Sequence, residues 1–348
     1  MIHRAVFSVL FVAVFWSRNE RLHTENALDA EDDQASISIV VSEPTPMVDI
    51  ARELHNRGVL ALSLDEFEWI SRTHGWNIAR VGYYEIPQNE PISDWLKDLG
   101  LGLQQQVTLS IPEGTTPERL FQHLAQSLQT DSLALSNSFN SLVDGLPQSE
   151  QITLFSRILP VNHTVFWTTS EDDLWQRLLQ PINELEQRHR ERVTEDETHP
   201  LVKNMSFFEV LTLASITEWE ALYDEEKAMI SGLYLNRIDR GMRLQADPTV
   251  NFAIGERRAL LYKDYRIEHP YNTYLFRGLP PSPITNPTRS SIESVYRAEQ
   301  HDYLYMVATP ERTHEFNETY EEHLADVKAW QDWRAEQRRL KRERDRAL

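Results

Sequence analysis

Ser206 and Glu209 stand three positions apart just before an apolar run, the signature of a capping box. In a box of this kind the Ser side chain accepts the backbone N–H three residues on, and the Glu reaches back to the Ser N–H. This fixes the start, and therefore the register, of a helix running from Phe207 to Glu218. In that register Leu211, Ala214, Glu218 and Leu222 recur at spacings of three and four, so a carboxylate shares the stripe that faces the core. Glu220, two positions on, points to another face, toward solvent or a cation. A carboxyl group beside apolar walls is disfavoured in its charged form, and a retained proton is what an acid needs to cleave a glycosidic bond. On helix phase alone, however, pairing of Glu218 with Arg237 or Arg243 explains the residue better than catalysis does.

The rest of the chain narrows the classes open to it. With 348 residues, 41% of them hydrophobic, it can bury a real core and divide into two or three domains. A formal charge of -19 argues against nucleic acid as a partner, because phosphate backbones would be repelled. The absence of cysteine excludes disulfides, thiolate nucleophiles and Cys-ligated zinc, so stability must come from packing. No His-Glu-x-x-His pair or other helical ligand spacing occurs, and no metal or cofactor is expected.

Residues 1–35 read as a signal-like or membrane-anchor segment followed by an acidic tether: a basic His3-Arg4 start, an apolar run from Ala5 to Trp16, then polar and acidic sequence from Asn19 to Gln34. The run spans only about 18 Å as helix, short of a bilayer's ~30 Å hydrocarbon core. The Phe15-Trp16 pair nevertheless suits a membrane interface.

Beyond it, Ser36 to Val41 alternates as a half-buried strand, and Pro46 is placed to open a helix as its first residue. Ser63 with Glu66 caps a second helix that Gly75 stops, and Ile78 to Ile86 reads as the next strand. Val107 to Ile111 reads as a further strand, followed by a helix from Thr116-Pro117 to about Leu128. Ser170 to Arg192 is helical with a kink expected at Pro181, and the charged sequence from about Tyr320 onward reads as a solvated helix. The fold class is therefore α+β.

The stretch C-terminal to Glu218 is unusual for a structural segment. Gly241 to Val250 contains Gln245-Ala246-Asp247-Pro248-Thr249; then come Tyr271-Asn272-Thr273-Tyr274 and the stiff loop Gly278-Leu279-Pro280-Pro281-Ser282-Pro283-Ile284. Aromatic rings stack on the apolar faces of sugars, while amides and hydroxyls bond their polar substituents. Singly, each of these motifs is more often turn chemistry.

Together with Ala214-Ser215-Ile216-Thr217-Glu218-Trp219-Glu220, Leu304 to Ala308, His314-Glu315-Phe316 and His323, and in this order, these motifs resemble the endolytic murein transglycosylase family, also called MltG or YceG-like. The resemblance is strong over 205–330 and weak over 36–160. It implies an N-terminal LysM-like small α+β module followed by a mixed α+β catalytic domain. It divides the chain into a LysM-like peptidoglycan-binding region (36–155), a connecting helical region (156–204), a catalytic domain (205–330) and a charged C-terminal helix (331–348). It implies a single-pass protein of the bacterial inner membrane, catalytic domain outside, cutting glycan strands internally, with peptidoglycan synthases as candidate partners. Catalysis falls on Glu218, and substrate binding on Gln245, Asp247, Thr249, Tyr271, Asn272, Thr273 and Tyr274. One segment departs from the family pattern: Arg157 to Thr164 keeps only its Pro and Thr. That departure leaves open a wall-binding scaffold with weakened catalysis as the alternative.

Overall fold

A computed structural model describes Leu28 and residues 36–87, 90–145 and 148–347. The apolar run Ala5 to Trp16 and most of its acidic tether lie outside the described residues. Among the described residues, no helix is long and apolar enough to cross a membrane. The described residues pack into two units that interleave in sequence: those up to 109 with 123–132 and 164–171 form one, and those of 110–122, 133–163 and from 172 onward the other.

The first unit contains β1 (Ser36–Val41), β2 (Thr45–Pro46), α1 (Met47–Asn56), α2 (Leu64–His74), β3 (Ile78–Ala79), β4 (Gly82–Pro87) and α3 (Ile92–Leu101). β1 runs antiparallel to β4, Ser36 opposite Pro87 and Val41 opposite Gly82, and buries Ile37, Ile39 and Val41 at period two. α2 starts on the expected capping box and ends on Gly75, whose φ of 81° is the left-handed conformation glycine tolerates. Pro46 is the N-cap of α1 rather than its first helical residue, since it lies in the short β2–β3 pairing. The single strand expected over Ile78 to Ile86 breaks in two, because Arg80 turns to α3, its N–H on the Leu99 carbonyl and its Nε on that of Gly100. α3, not expected from the sequence, buries Ile92, Trp95, Leu96 and Leu99 on one face. Gly100 has no substitute there: a Cβ would come 2.4 Å from the Trp76 ring.

β5 (Gln106–Ser110) pairs with β6 (Asn162–Phe166). Between them in sequence come α4 (Pro117–Ala125), α5 (Ser132–Val143) and α6 (Gln148–Ser156), and after them α7 (Glu171–Arg192), with Pro181 inside it. In the second unit Phe121, Phe139, Phe155 and Trp175 pack edge-on or tilted.

The centre of that unit is α8 (Phe207–Glu220), capped by Ser206 and Glu209 as expected. It is not amphipathic. Every residue from Val210 to Thr217 is buried, which makes α8 the core helix around which α9 (Asp224–Asp239), α10 (Asp247–Ile254) and α11 (Arg289–Tyr296) pack. Leu211, Ile216, Leu233 and Ile292 belong to the same cluster. Leu222, expected on the buried stripe, lies past the helix end and is 57% exposed. Buried hydroxyls cross-link the layer: Ser231 of α9 bridges Thr217 of α8 and Ser294 of α11, at 3.2 Å each. A hairpin, β7 (Tyr305–Ala308) and β8 (His314–Asn317), and the exposed α12 (Tyr320–Ala347) complete the unit.

Candidate active site

The last three residues of α8 are Glu218, Trp219 and Glu220, and successive helical residues turn by about 100°. Each therefore meets a different environment. All lie where α8 runs out, next to the loop 282–288 and the start of α10.

Glu218 is 7% exposed at its side chain. Among the described residues, every donor that reaches it reaches Oε2: the Thr288 N–H at 2.9 Å, Thr288 Oγ1 at 2.6 Å, Ser291 Oγ at 2.5 Å and Lys227 Nζ at 3.4 Å. Thr288 is the N-cap of α11, so the carboxylate also sits at the positive end of that helix dipole. Lys227 is itself buried and braced by Asp224 at 2.7 Å, Ser290 at 3.0 Å and Thr288 Oγ1 at 3.2 Å. The Lys227 ammonium beside Asp224 holds that carboxyl below its ordinary range. One oxygen of Glu218 is thus clamped, and Oε1 takes none of these bonds.

The walls around Glu218 are consequently polar, not apolar as its helix stripe suggested, and neither expected arginine pairs with it. Arg237 is buried with its guanidinium on the carbonyls of Leu304 (2.6 Å) and Leu244, while Arg243 is exposed. Thr288, Ser291 and Lys227 carry no mark of this role in their local sequence pattern beyond a capping position. The signal available for Thr288 was local, Asn286-Pro287-Thr288 standing just before a helix as a cap does.

Glu220 carries the buried-acid character. It keeps some exposed surface, yet burial of its carboxyl raises its pKa to about 8; the nearby Asp247 carboxylate adds to the rise and Arg237 opposes it. Of the two expectations for Glu220, solvent or a cation, the carboxyl has the cation: its electrostatic neighbours are Asp247, Arg237, Tyr234 and Tyr274, and burial rather than open solvent dominates its surroundings. Asp247, the first residue of α10, accepts Tyr274 Oη at 2.7 Å on Oδ1 and Tyr265 Oη at 3.3 Å on Oδ2. Burial, then the Asp247 charge, pushes Tyr265 up to about 12 and Tyr274 further still, so both phenols remain donors.

The other residues expected to touch substrate divide by where they face. Thr249, Asn272 and Thr273 are fully buried and bond one another's loops. Thr249 Oγ1 meets Thr273 Oγ1 at 2.8 Å, and Thr273 Oγ1 accepts the Ala246 N–H at 3.0 Å. Asn272 Nδ2 donates to the Tyr265 and Ile267 carbonyls, and its Oδ1 accepts the Tyr274 N–H. Tyr271 is buried against Phe252, its hydroxyl on Ser282. These four hold the loops in place and turn inward. Gln245, by contrast, is exposed with φ 51°, a left-handed backbone uncommon outside glycine, fixed by its N–H on the Thr273 carbonyl at 3.2 Å. The motif residues free to meet a ligand are therefore Gln245, Asp247 and Tyr274.

The segment Arg157 to Thr164 is anchored at its first half, while Asn162 and Thr164 are exposed. Ile158 and Leu159 are buried, and Arg157 pairs with Glu186. The buried amide of Asn286 donates at 3.2 Å to the carbonyls of both Ile158 and Pro112, which ties the segment to the loop that clamps Glu218. Among the described residues, no group of His, Asp and Glu is arranged to hold a metal ion.

Comparison with known proteins agrees with this architecture. The chain is 33% identical over 171 residues to the endolytic murein transglycosylase of Bacillus subtilis (strain 168), an alignment covering 49% of this chain and 45% of that one. It is 25% identical over 307 residues to the endolytic murein transglycosylase of Streptococcus pneumoniae serotype 2 (strain D39 / NCTC 7466), covering 78% of this chain and 54% of the relative. It thus spans about half the length of these curated relatives. The crystal structure of a YceG-like protein from Listeria monocytogenes superposes with a TM-score of 0.55 at 25% identity, over 84% of this chain and 98% of the other. A family model, that of the YceG-like family, matches residues 39–329, and the chain belongs to that family.

Proposed function

We propose that this chain is an endolytic lytic transglycosylase of peptidoglycan, cutting the bond between N-acetylmuramic acid and N-acetylglucosamine within a glycan strand, with Glu218 as acid and then base. The observation that carries this reading is the one-sided clamp: four donors fix Oε2 of Glu218 and leave Oε1 as the oxygen able to exchange a proton. Held so, Oε1–H gives its proton to the glycosidic oxygen as the C1–O bond breaks and an oxocarbenium-like centre develops. The C6 hydroxyl of the same muramic residue then adds to C1, and its proton passes to Glu218. No water is consumed, and the product is a 1,6-anhydromuramyl end. A single residue suffices because the base is regenerated as the acid.

The relatives' names and the family match support the substrate class. The antiparallel β1–β4 pair with α1 and α2 between its strands supports a LysM-like, wall-binding role for the first unit. Anchorage in the bacterial inner membrane through the N-terminal run, and work beside peptidoglycan synthases outside it, belong to the same proposal. The scaffold alternative gains nothing from the segment at 157–164, whose Ile158 carbonyl is tied through Asn286 to the Glu218 loop.

Incubation of the full chain and of its Glu218→Gln variant with glycan strands, followed by mass analysis, tests the reading. Anhydromuramyl ends from the wild type and none from the variant are expected. Unchanged cleavage by the variant overturns the assignment.

A further inference from the structure

Within the second unit a cleft of ≈ 1210 Å³ opens on the side of α8 that carries Trp219. Its volume exceeds the roughly 300–1,000 Å³ of a small-molecule site, which suits a segment of polymer. Glu218 does not line it; Trp219, one residue on, does.

Three features of its wall bear on what it holds. The first is charge. In a chain of net -19, Arg119 and Arg257 both line the cleft without a carboxylate partner among the described residues. Arg258 beside them is instead neutralised by Asp264 at 2.7 Å and Glu256 at 2.9 Å. The Arg257 guanidinium stacks 5.1 Å above the Trp219 ring, a pre-organised cation with its edge donors free. Glu113 and Glu118 also line the cleft, so its polar wall carries both signs.

The second is Gly114. Its φ of +57° and a Cβ position 2.9 Å from Trp219 Nε1 leave no room for a side chain, while that ring N–H meets no acceptor among the described residues. The third is continuity. Ile284 and Thr285 line the cleft, and Thr288 on the same loop clamps Glu218, so a group seated here is held on the frame that positions the reacting carboxyl.

A glycan backbone supplies hydroxyls and acetamides but only sparse charge. A short peptide bearing carboxylates and an amine answers unpaired guanidinium and carboxylate groups together, and its apolar side chains suit Phe121, Phe139 and Phe252. We propose that this cleft binds the peptide stem carried by the glycan strand, with Arg257 and Arg119 recognising its carboxylates. The inference rests on the glycan substrate proposed above.

Equilibrium titration of the full chain with a muramyl disaccharide bearing a pentapeptide, and with the same disaccharide lacking the peptide, tests it. The expected result is about tenfold tighter binding of the peptide-bearing ligand, the size of a single charge-assisted contact. This preference should collapse in the Arg119→Ala/Arg257→Ala double variant, whose exposed positions spare the fold, and persist in Glu218→Gln. Equal affinity for the two ligands, or an undiminished preference in the arginine variant, overturns the proposal. A wild type that keeps the preference yet cleaves no strand would refute the transglycosylase reading and leave the peptide cleft standing.

Discussion

Glu218 and Glu220 end the same helix two residues apart, yet their surroundings are opposite. Glu218 is met by a backbone N–H, two hydroxyls and an ammonium, all on one oxygen. Glu220 is met by desolvation, a second carboxylate and phenols, which outweigh the Arg237 cation and push its pKa up to about 8. Donors fix where one carboxyl points and a dry acidic neighbourhood keeps the other protonated; the last turn of one helix provides both.

The most severe way to break this contrast is Glu218→Gln, which keeps the shape that Thr288 and Ser291 hold but removes the transferable proton. Cleavage should fall by at least about 10³-fold with the thermal transition intact. Removal of the buried cation comes next. Lys227→Ala takes the cation from beside the buried Glu218, which keeps its bonds to Thr288 and Ser291, and from Asp224, which is 67% exposed; it should destabilise the fold by about 2 kcal/mol in a denaturant titration, whereas a change under about 0.5 kcal/mol would show that the pair is unimportant. Thr288→Val leaves the carboxyl present and loosens it; turnover should drop about tenfold with little change in KM, and an altered KM alone would make Thr288 a binding residue.

The mildest test sharpens the Glu220 side. Its folded pKa lies above the ordinary 4.5, so between about 4.5 and 8 the native state binds more protons than the unfolded chain. Stability contributed by this group is present at low pH and is lost as pH rises through that window. Glu220→Gln should flatten the decline in unfolding free energy over the same range, and an unaltered slope would place the titration elsewhere.

How much of this could be read from residues depended on range. Both capping boxes, Ser63 with Glu66 and Ser206 with Glu209, formed as written because each is closed within four residues. The clamp on Glu218 was invisible because Thr288 and Ser291 lie 70 and 73 positions away. Helix phase placed Glu218 near the core but could not tell apolar neighbours from hydroxyls. Residue type alone does not separate roles in the Tyr-Asn-Thr-Tyr loop, since an amide that bonds a sugar and one that bonds a carbonyl look alike in sequence; Asn272 spends its donors on Tyr265 and Ile267. α3 was legible in principle from Ile92, Trp95, Leu96 and Leu99, spaced as one helical face.

The central claim, that one carboxyl acts twice without water, is most directly tested by running the reaction in H₂¹⁸O and weighing the new ends. If Glu218 works alone, the muramyl products are 1,6-anhydro ends carrying no ¹⁸O. Reducing muramyl ends that contain one ¹⁸O atom would mean that water attacks C1, with Glu220 or Asp247 as the second carboxyl, and would contradict the account.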